Sequence, residues 1–200
     1  MAYLLLALSV ILSTGRNLFS KNLSSIEFKT KPFFLCQGVL FLFGALSLLS
    51  FGKISFESIA AETLIYALVY GCLLVIAQWF YTAALSRGNT ALCSTVYSLG
   101  FILPTLSGAV VWGEEFSLFD LFGILCAVSA VIVSGLKINK NSKKAKSYYF
   151  IPLLVAMLAS GGLGIVQKLQ QKSVYADEKS VFLFLAFSFA SVVSLVFFSI

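Results

Sequence analysis

The chain has 200 residues, of which 60% are hydrophobic and 11% charged, with a formal net charge of +6. A soluble domain carries about 25% charged residues, so the composition excludes an ordinary soluble fold. The same +6 would suggest nucleic acid in a soluble protein. Here it concentrates in connecting loops, where orientation in a bilayer and lipid headgroups explain it, and no nucleic-acid partner is expected.

A bilayer core asks roughly 20 apolar residues of a helix, and seven windows approach that length: 3–21, 33–51, 61–85, 90–112, 118–136, 149–171 and 180–200. They are too long for transmembrane strands and do not alternate apolar with polar. The expected fold is an all-α, multi-pass transmembrane bundle. The first window lacks a basic region before it and an A-x-A-like site after it, so it reads as a membrane helix and not a signal peptide. Within it, Arg16 and Asn17 follow Gly15. An ionisable group inside a bilayer is a functional candidate, because burying it unpaired is expensive. Arg16 either meets an anionic substrate group or snorkels to the nearby interface.

The third window starts near Glu62, which complements the helix dipole, and later carries Gln78, Trp79 and Tyr81. Amide, indole and phenol together suit a substrate in a mostly apolar pocket. An aromatic belt with an interhelical hydrogen bond accounts for them equally well. Arg87, Gly88, Asn89 and Thr90 then form a short polar turn, with Gly88 suited to a helix C′ position and Asn89 to an N-cap. So short a turn forces the third and fourth helices into an antiparallel hairpin. In the fourth window, Ser94, Ser98 and Gly108 flank Pro104, with Thr95, Tyr97 and Gly100 nearby. Proline removes an i→i−4 hydrogen bond and frees a carbonyl in mid-membrane, which a neighbouring helix or cavity water must satisfy. A bend beside a solute path fits this pattern, and so does close packing through small residues.

Ser117 to Asp120 has the form of a capping box opening the fifth window. Residues 137–146 carry five lysines and two asparagines and read as a flexible basic linker. In the sixth window, Gly161, Gly162 and Gly164 weaken the helix. They mark either a discontinuous segment at a cavity or a close crossing surface. Cys36, Cys72, Cys93 and Cys126 all lie in apolar runs and form no C-x-x-C pair, so they read as small buried hydrophobes. There is no histidine, which removes the commonest transition-metal ligand and general base. No metal, cofactor or enzymatic activity is expected.

The sequence after the linker repeats the start. Residues 6–50 shifted by 147 fall on 153–197, and Ser13 then meets Ser160, Gly15 Gly162, Lys21 Lys168, Ser47 Ser194 and Leu48 Leu195. The matched order adds weight: apolar run, small-residue break, polar tail with a lysine, second run. A repeat of five helices is odd-numbered, so its second copy sits inverted, a recurring plan of secondary transporters. Residues 1–136 form the first repeat, 137–147 the linker and 148–200 the first two helices of a second repeat. The expectation is a truncated piece of a ten-helix (5+5) protein of about 285 residues.

Tyr81-Thr82-Ala83-Ala84-Leu85, the polar turn, a small-residue helix with Pro104, then Gly113-Glu114 and Gly123 resemble the EamA-type drug/metabolite transporter superfamily. The resemblance covers most of 1–136 and continues more weakly beyond. It implies ten helices in two repeats and export or exchange of small metabolites, often amino acids, through a cavity lined by helices one, three and four of each half. Glu114 resembles the family's helix-end glutamate and is expected to anchor the turn between the fourth and fifth helices. The candidate cavity residues are Arg16, Asn17, Gln78, Trp79, Tyr81, Ser94, Tyr97 and Ser98. Pro104, Gly100, Gly161 and Gly162 are the bending candidates, and Gly113, Glu114 and Gly123 the structural motif. The expected partners are a small-molecule substrate and the bilayer of the cell (plasma or inner) membrane, with homo-oligomerisation open.

No Asp or Glu lies in mid-span, so a central proton-coupling carboxylate is not visible and exchange or facilitation stays open. A glycolipid flippase of related fold is an alternative. So is a seven-span sensor, although 180–200 lacks a Schiff-base lysine. Intramembrane proteases are disfavoured, because Gly-x-Ser-Gly and His-Glu-x-x-His are both missing. Alternate loops collect nine basic residues on the Lys21 side against four on the other. That count puts the N-terminus outside, whereas the family resemblance puts it in the cytoplasm, and orientation stays open.

Overall fold

The computed structural model describes residues 30–51, 59–115, 117–136 and 149–199. The first predicted span and the basic linker lie outside these residues, as do Arg16 and Asn17. Among the described residues every regular element is helical. In chain order these are α1 (Thr30–Phe51), α2 (Ala61–Arg87), α3 (Thr90–Ser98), α4 (Ile102–Trp112), α5 (Leu118–Leu136), α6 (Phe150–Lys172) and α7 (Lys179–Ser199). A 3₁₀ turn, Leu99–Phe101, joins α3 to α4, and a second, Ala176–Glu178, precedes α7. Five segments are long and apolar enough to cross a bilayer: Lys31–Ser50, Ala61–Arg87, Thr90–Trp112, Phe150–Lys172 and Ala176–Ser199. In α5 the apolar stretch Leu118–Val131 is shorter. The chain is a helical, multi-pass integral membrane protein.

Local chemistry sets the helix ends. Asn89 accepts a hydrogen bond from the Ala91 N–H at 2.9 Å and caps α3. Ser117 and Asp120 form the predicted reciprocal cap of α5: the Ser117 N–H donates to Asp120 Oδ2 at 3.0 Å, and the Phe119 N–H to Ser117 Oγ at 3.3 Å. Gly88 differs from expectation. Its φ of −106° is extended rather than left-handed, and its constraint is space, since a Cβ would lie 2.7 Å from Cys93 Sγ and 2.9 Å from the Ala84 carbonyl. The α2 N-terminus is served from afar, by the Glu178 carboxylate that accepts from the Ala60 N–H at 3.3 Å. Glu62 lies exposed in the same first turn.

In lipid, apolar burial gives no net hydrophobic drive between helices, so close approach and interhelical polar contacts carry association. The helix α2 is central. On one side it runs parallel to α7, with Gly71 against Ala186 and Ala190 and Tyr70 edge-on to Phe182 at 5.3 Å. On another it runs antiparallel to α6, with Leu73 at Gly162 and Ala77 beside Ala159 and Leu163. Antiparallel α1 and α7 lie together along their length. Phe34 stacks on Phe197, Ser191 Oγ donates to the Gly38 carbonyl at 2.9 Å, and Gly44 faces Phe187. The α3–α4 pair leans on the far side of α6, and α5 packs against α3. The starts of α2, α5 and α7 and the ends of α4 and α6 share one end of the bundle.

Candidate functional site

The fourth span meets the sixth through glycines. At Gly100, inside the 3₁₀ turn, a Cβ would lie 2.9 Å from the Met157 carbonyl and 3.0 Å from the Gly161 nitrogen. At Gly161 a Cβ would run into Leu103 and come within 2.8 Å of the Gly100 carbonyl. That carbonyl is the one Pro104 deprives of its i→i−4 donor, and it faces the α6 backbone. One turn on, Gly164 accepts the Pro104 ring, whose Cγ would be 2.7 Å from a Cβ there. The predicted irregularity near Pro104 is this 3₁₀ turn, a motif often found at hinges. By contrast, α6 runs without interruption through Gly161 and Gly162, so a discontinuous segment there gives way to close packing. The two glycines also serve different neighbours, since Gly162 faces Leu73 of α2.

Beyond the crossing, α4 ends at Gly113, whose φ of +62° is left-handed and suits glycine. The turn carries Glu114 back over its own helix. One carboxylate oxygen, Oε2, accepts from Lys168 Nζ at 2.5 Å, and the other, Oε1, pairs with Lys172 Nζ at 3.1 Å. Both lysines sit one turn apart on α6. Lys168 also lies 5.4 Å from the centre of the Trp112 ring and 3.5 Å from the Pro104 carbonyl. Gly108 gives the pair its room, because a Cβ there would collide with the Lys168 ammonium and crowd the Glu114 carboxylate. Hydrogen bonds from Lys168 and then Lys172 hold the Glu114 carboxyl below the ordinary carboxylate range, against a smaller opposing effect of desolvation. Beside the pair opens a cleft of about 250 Å³, lined by Pro104, Thr105, Ala109, Glu114, Glu115, Asp120 and Lys168.

The other sequence candidates distribute unevenly. Trp79 packs on Phe34 at 5.5 Å, towards α1 and α7, whereas Tyr81, 2% exposed, packs at a tilt on Tyr97 at 4.4 Å, towards α3 and α6. Two residues apart on a helix, they point to different sides of α2 and do not share a pocket with Gln78 between them. The Trp79 indole nitrogen is buried without a hydrogen-bond partner among the described residues. Tyr97 bridges the Tyr81 cluster to one around Ala77 and Leu163. Ser94 is half-buried and Ser98 exposed; their hydroxyls bond back to the Ala91 and Ser94 carbonyls at 3.1 and 2.8 Å. With Thr105 they form a hydroxyl row along one face of the fourth span, ending at the cleft. Gly123 faces open space.

Sequence reasoning gave Lys168 and Lys172 no place among the candidate site residues and so missed both. The signal was their i, i+4 spacing on one helix face, matched to a carboxylate that closes a parallel neighbour. Among the described residues no group of three or more His, Cys, Asp or Glu could hold a metal ion. Comparison with protein-family models, curated proteins and solved structures gave no match.

Proposed function

We propose that this protein is an EamA-type membrane transporter that moves small metabolites, amino-acid-like or related solutes, by alternating access as an exporter or exchanger. In this reading residues 1–136 and 148–200 belong to two inverted repeats of a ten-helix plan, embedded in the plasma or inner membrane. The observation that carries it is the crossing of the fourth span on α6. A helix broken by a 3₁₀ turn ahead of a proline rests on an unbroken helix of the other repeat through Gly100, Gly161 and Gly164. That contact gives a pivot between repeats with little side-chain interdigitation to undo.

Two further features support it. The 147-residue shift makes α1 and α7 equivalent, and these two helices pack antiparallel, with Phe34 at Phe197, Gly38 at Ser191 and Gly44 at Phe187. An in-plane pseudo-two-fold axis requires that arrangement of equivalent helices. The hydroxyl row Ser94, Ser98 and Thr105 also gives a polar track beside the pivot. Uptake by the purified protein in proteoliposomes tests the proposal, with radiolabelled amino acids in one arm and fluorescent lipid probes in the other. Saturable amino-acid uptake above protein-free vesicles is expected. Scrambling of the lipid probe without amino-acid uptake would replace the proposal with a flippase.

A further inference from the structure

We propose that the Glu114–Lys168–Lys172 ion pair is a reversible latch that holds the end of α4 against α6 and narrows the adjoining cleft. The proposal deepens the transport reading and rests on it for its purpose. The pair is the charged contact at the end of a lever. Its pivot is the Leu99–Phe101 turn, about two helical turns before Gly108.

Three details favour a device over an incidental surface contact. Both carboxylate oxygens are engaged, each by a different lysine, and both lysines project from one helix. The Lys168 ammonium has a prepared seat: Trp112 presents its ring, Pro104 its carbonyl, and Gly108 an empty position that any side chain would fill. Finally, exposure decides between a fixed clamp and a switch. The side chains of Lys168, Glu114 and Lys172 are 20%, 38% and 49% exposed. Opening a fully buried pair strands a charge at large cost. Opening a partly exposed one returns both partners to water at little cost, so this pair can break and reform within a transport cycle. Glu114 and Lys168 both line the cleft, so parting them widens it.

The test measures the α4–α6 separation directly, in the full chain in lipid nanodiscs. Spin labels are carried on unnatural amino acids at Val110 and Gln171, both exposed, leaving the native cysteines in place. Glu114→Gln should raise the long-distance population by about threefold. The charge swap Glu114→Lys with Lys168→Glu should restore the short distance. High salt (about 1 M) on the unmutated chain should act in the same direction as Glu114→Gln by screening, so the test does not depend on a variant that folds. Superimposable distance distributions for the unmutated protein, Glu114→Gln and high salt would overturn the latch. The transport reading is judged separately, by amino-acid counterflow in proteoliposomes. A lengthened distance without counterflow leaves the latch and removes the transporter. Counterflow with an unchanged distance does the reverse.

Discussion

The α1–α7 and α4–α6 crossings both use glycine, yet they are held in opposite ways. Along α1 and α7, contact runs through the Phe34–Phe197 and Phe41–Phe187 ring pairs and a buried hydroxyl-to-carbonyl hydrogen bond. Between α4 and α6 the contact is short and tight at Gly161 and Gly164 and is secured at one end by a half-exposed ion pair. Lipid is as apolar as either interface, so hydrophobic burial does not separate the two. Packing area, proximity of backbones and electrostatics do. The first interface is built to stay closed, whereas the second joins a pivot to a contact that salt and solvent can loosen.

The largest expected effect breaks this comparison at matched positions. Gly161→Ala places a methyl against Leu103 and the Gly100 carbonyl, and should destabilise the bundle by about 1–3 kcal/mol in detergent unfolding titrations. Gly44→Ala meets only Phe187 at an ordinary 3.5 Å and should be neutral, or stabilising by up to about 1 kcal/mol through helix propensity. Equal losses at both sites would remove the distinction. Next in size, Ser191→Ala deletes the bond to Gly38 and should lower stability by about 0.6 kcal/mol without altering the α4–α6 distance. A change in that distance would show the two interfaces to be coupled.

The smallest effect is that of pH, and its sign is fixed by Glu114. Its carboxyl is held below the ordinary carboxylate range by Lys168 and Lys172. The stabilisation is therefore complete above the unfolded value of about 4.3 and fades as pH falls through the lower folded value. Glu115 and Asp120 share the cleft, and neither displaces the lysines in the structure. Between pH 7 and about 5 the label distance should stay constant. An opening centred near pH 6 would mean that a different group controls this end.

Much of the architecture was legible in the sequence because the bilayer imposes a length and the caps have local chemistry. Among the described residues the apolar runs end within a few residues of the helices, and Asn89 and Ser117 cap as their residue types dictate. Less was legible where the answer depends on which helix face meets which neighbour. Trp79 and Tyr81 are close in sequence but separated by the turn of α2. Gly161 and Gly162 are adjacent yet face α4 and α2 respectively. The roles of Lys168 and Lys172 needed the parallel pairing of α4 with α6, which connects residues 54 apart or more; their i, i+4 spacing marks a shared helix face but does not name the neighbour it meets.

The most direct test of the central claim is amino-acid counterflow through the reconstituted protein with and without bulk on the hydroxyl row. Ser98 is exposed and outside the glycine crossing, so Ser98→Trp should insert and unfold like the parent chain. Trans-stimulated flux in the parent, reduced at least about tenfold in Ser98→Trp, is the predicted result. Flux through Ser98→Trp equal to that of the parent would contradict a solute path along the fourth span.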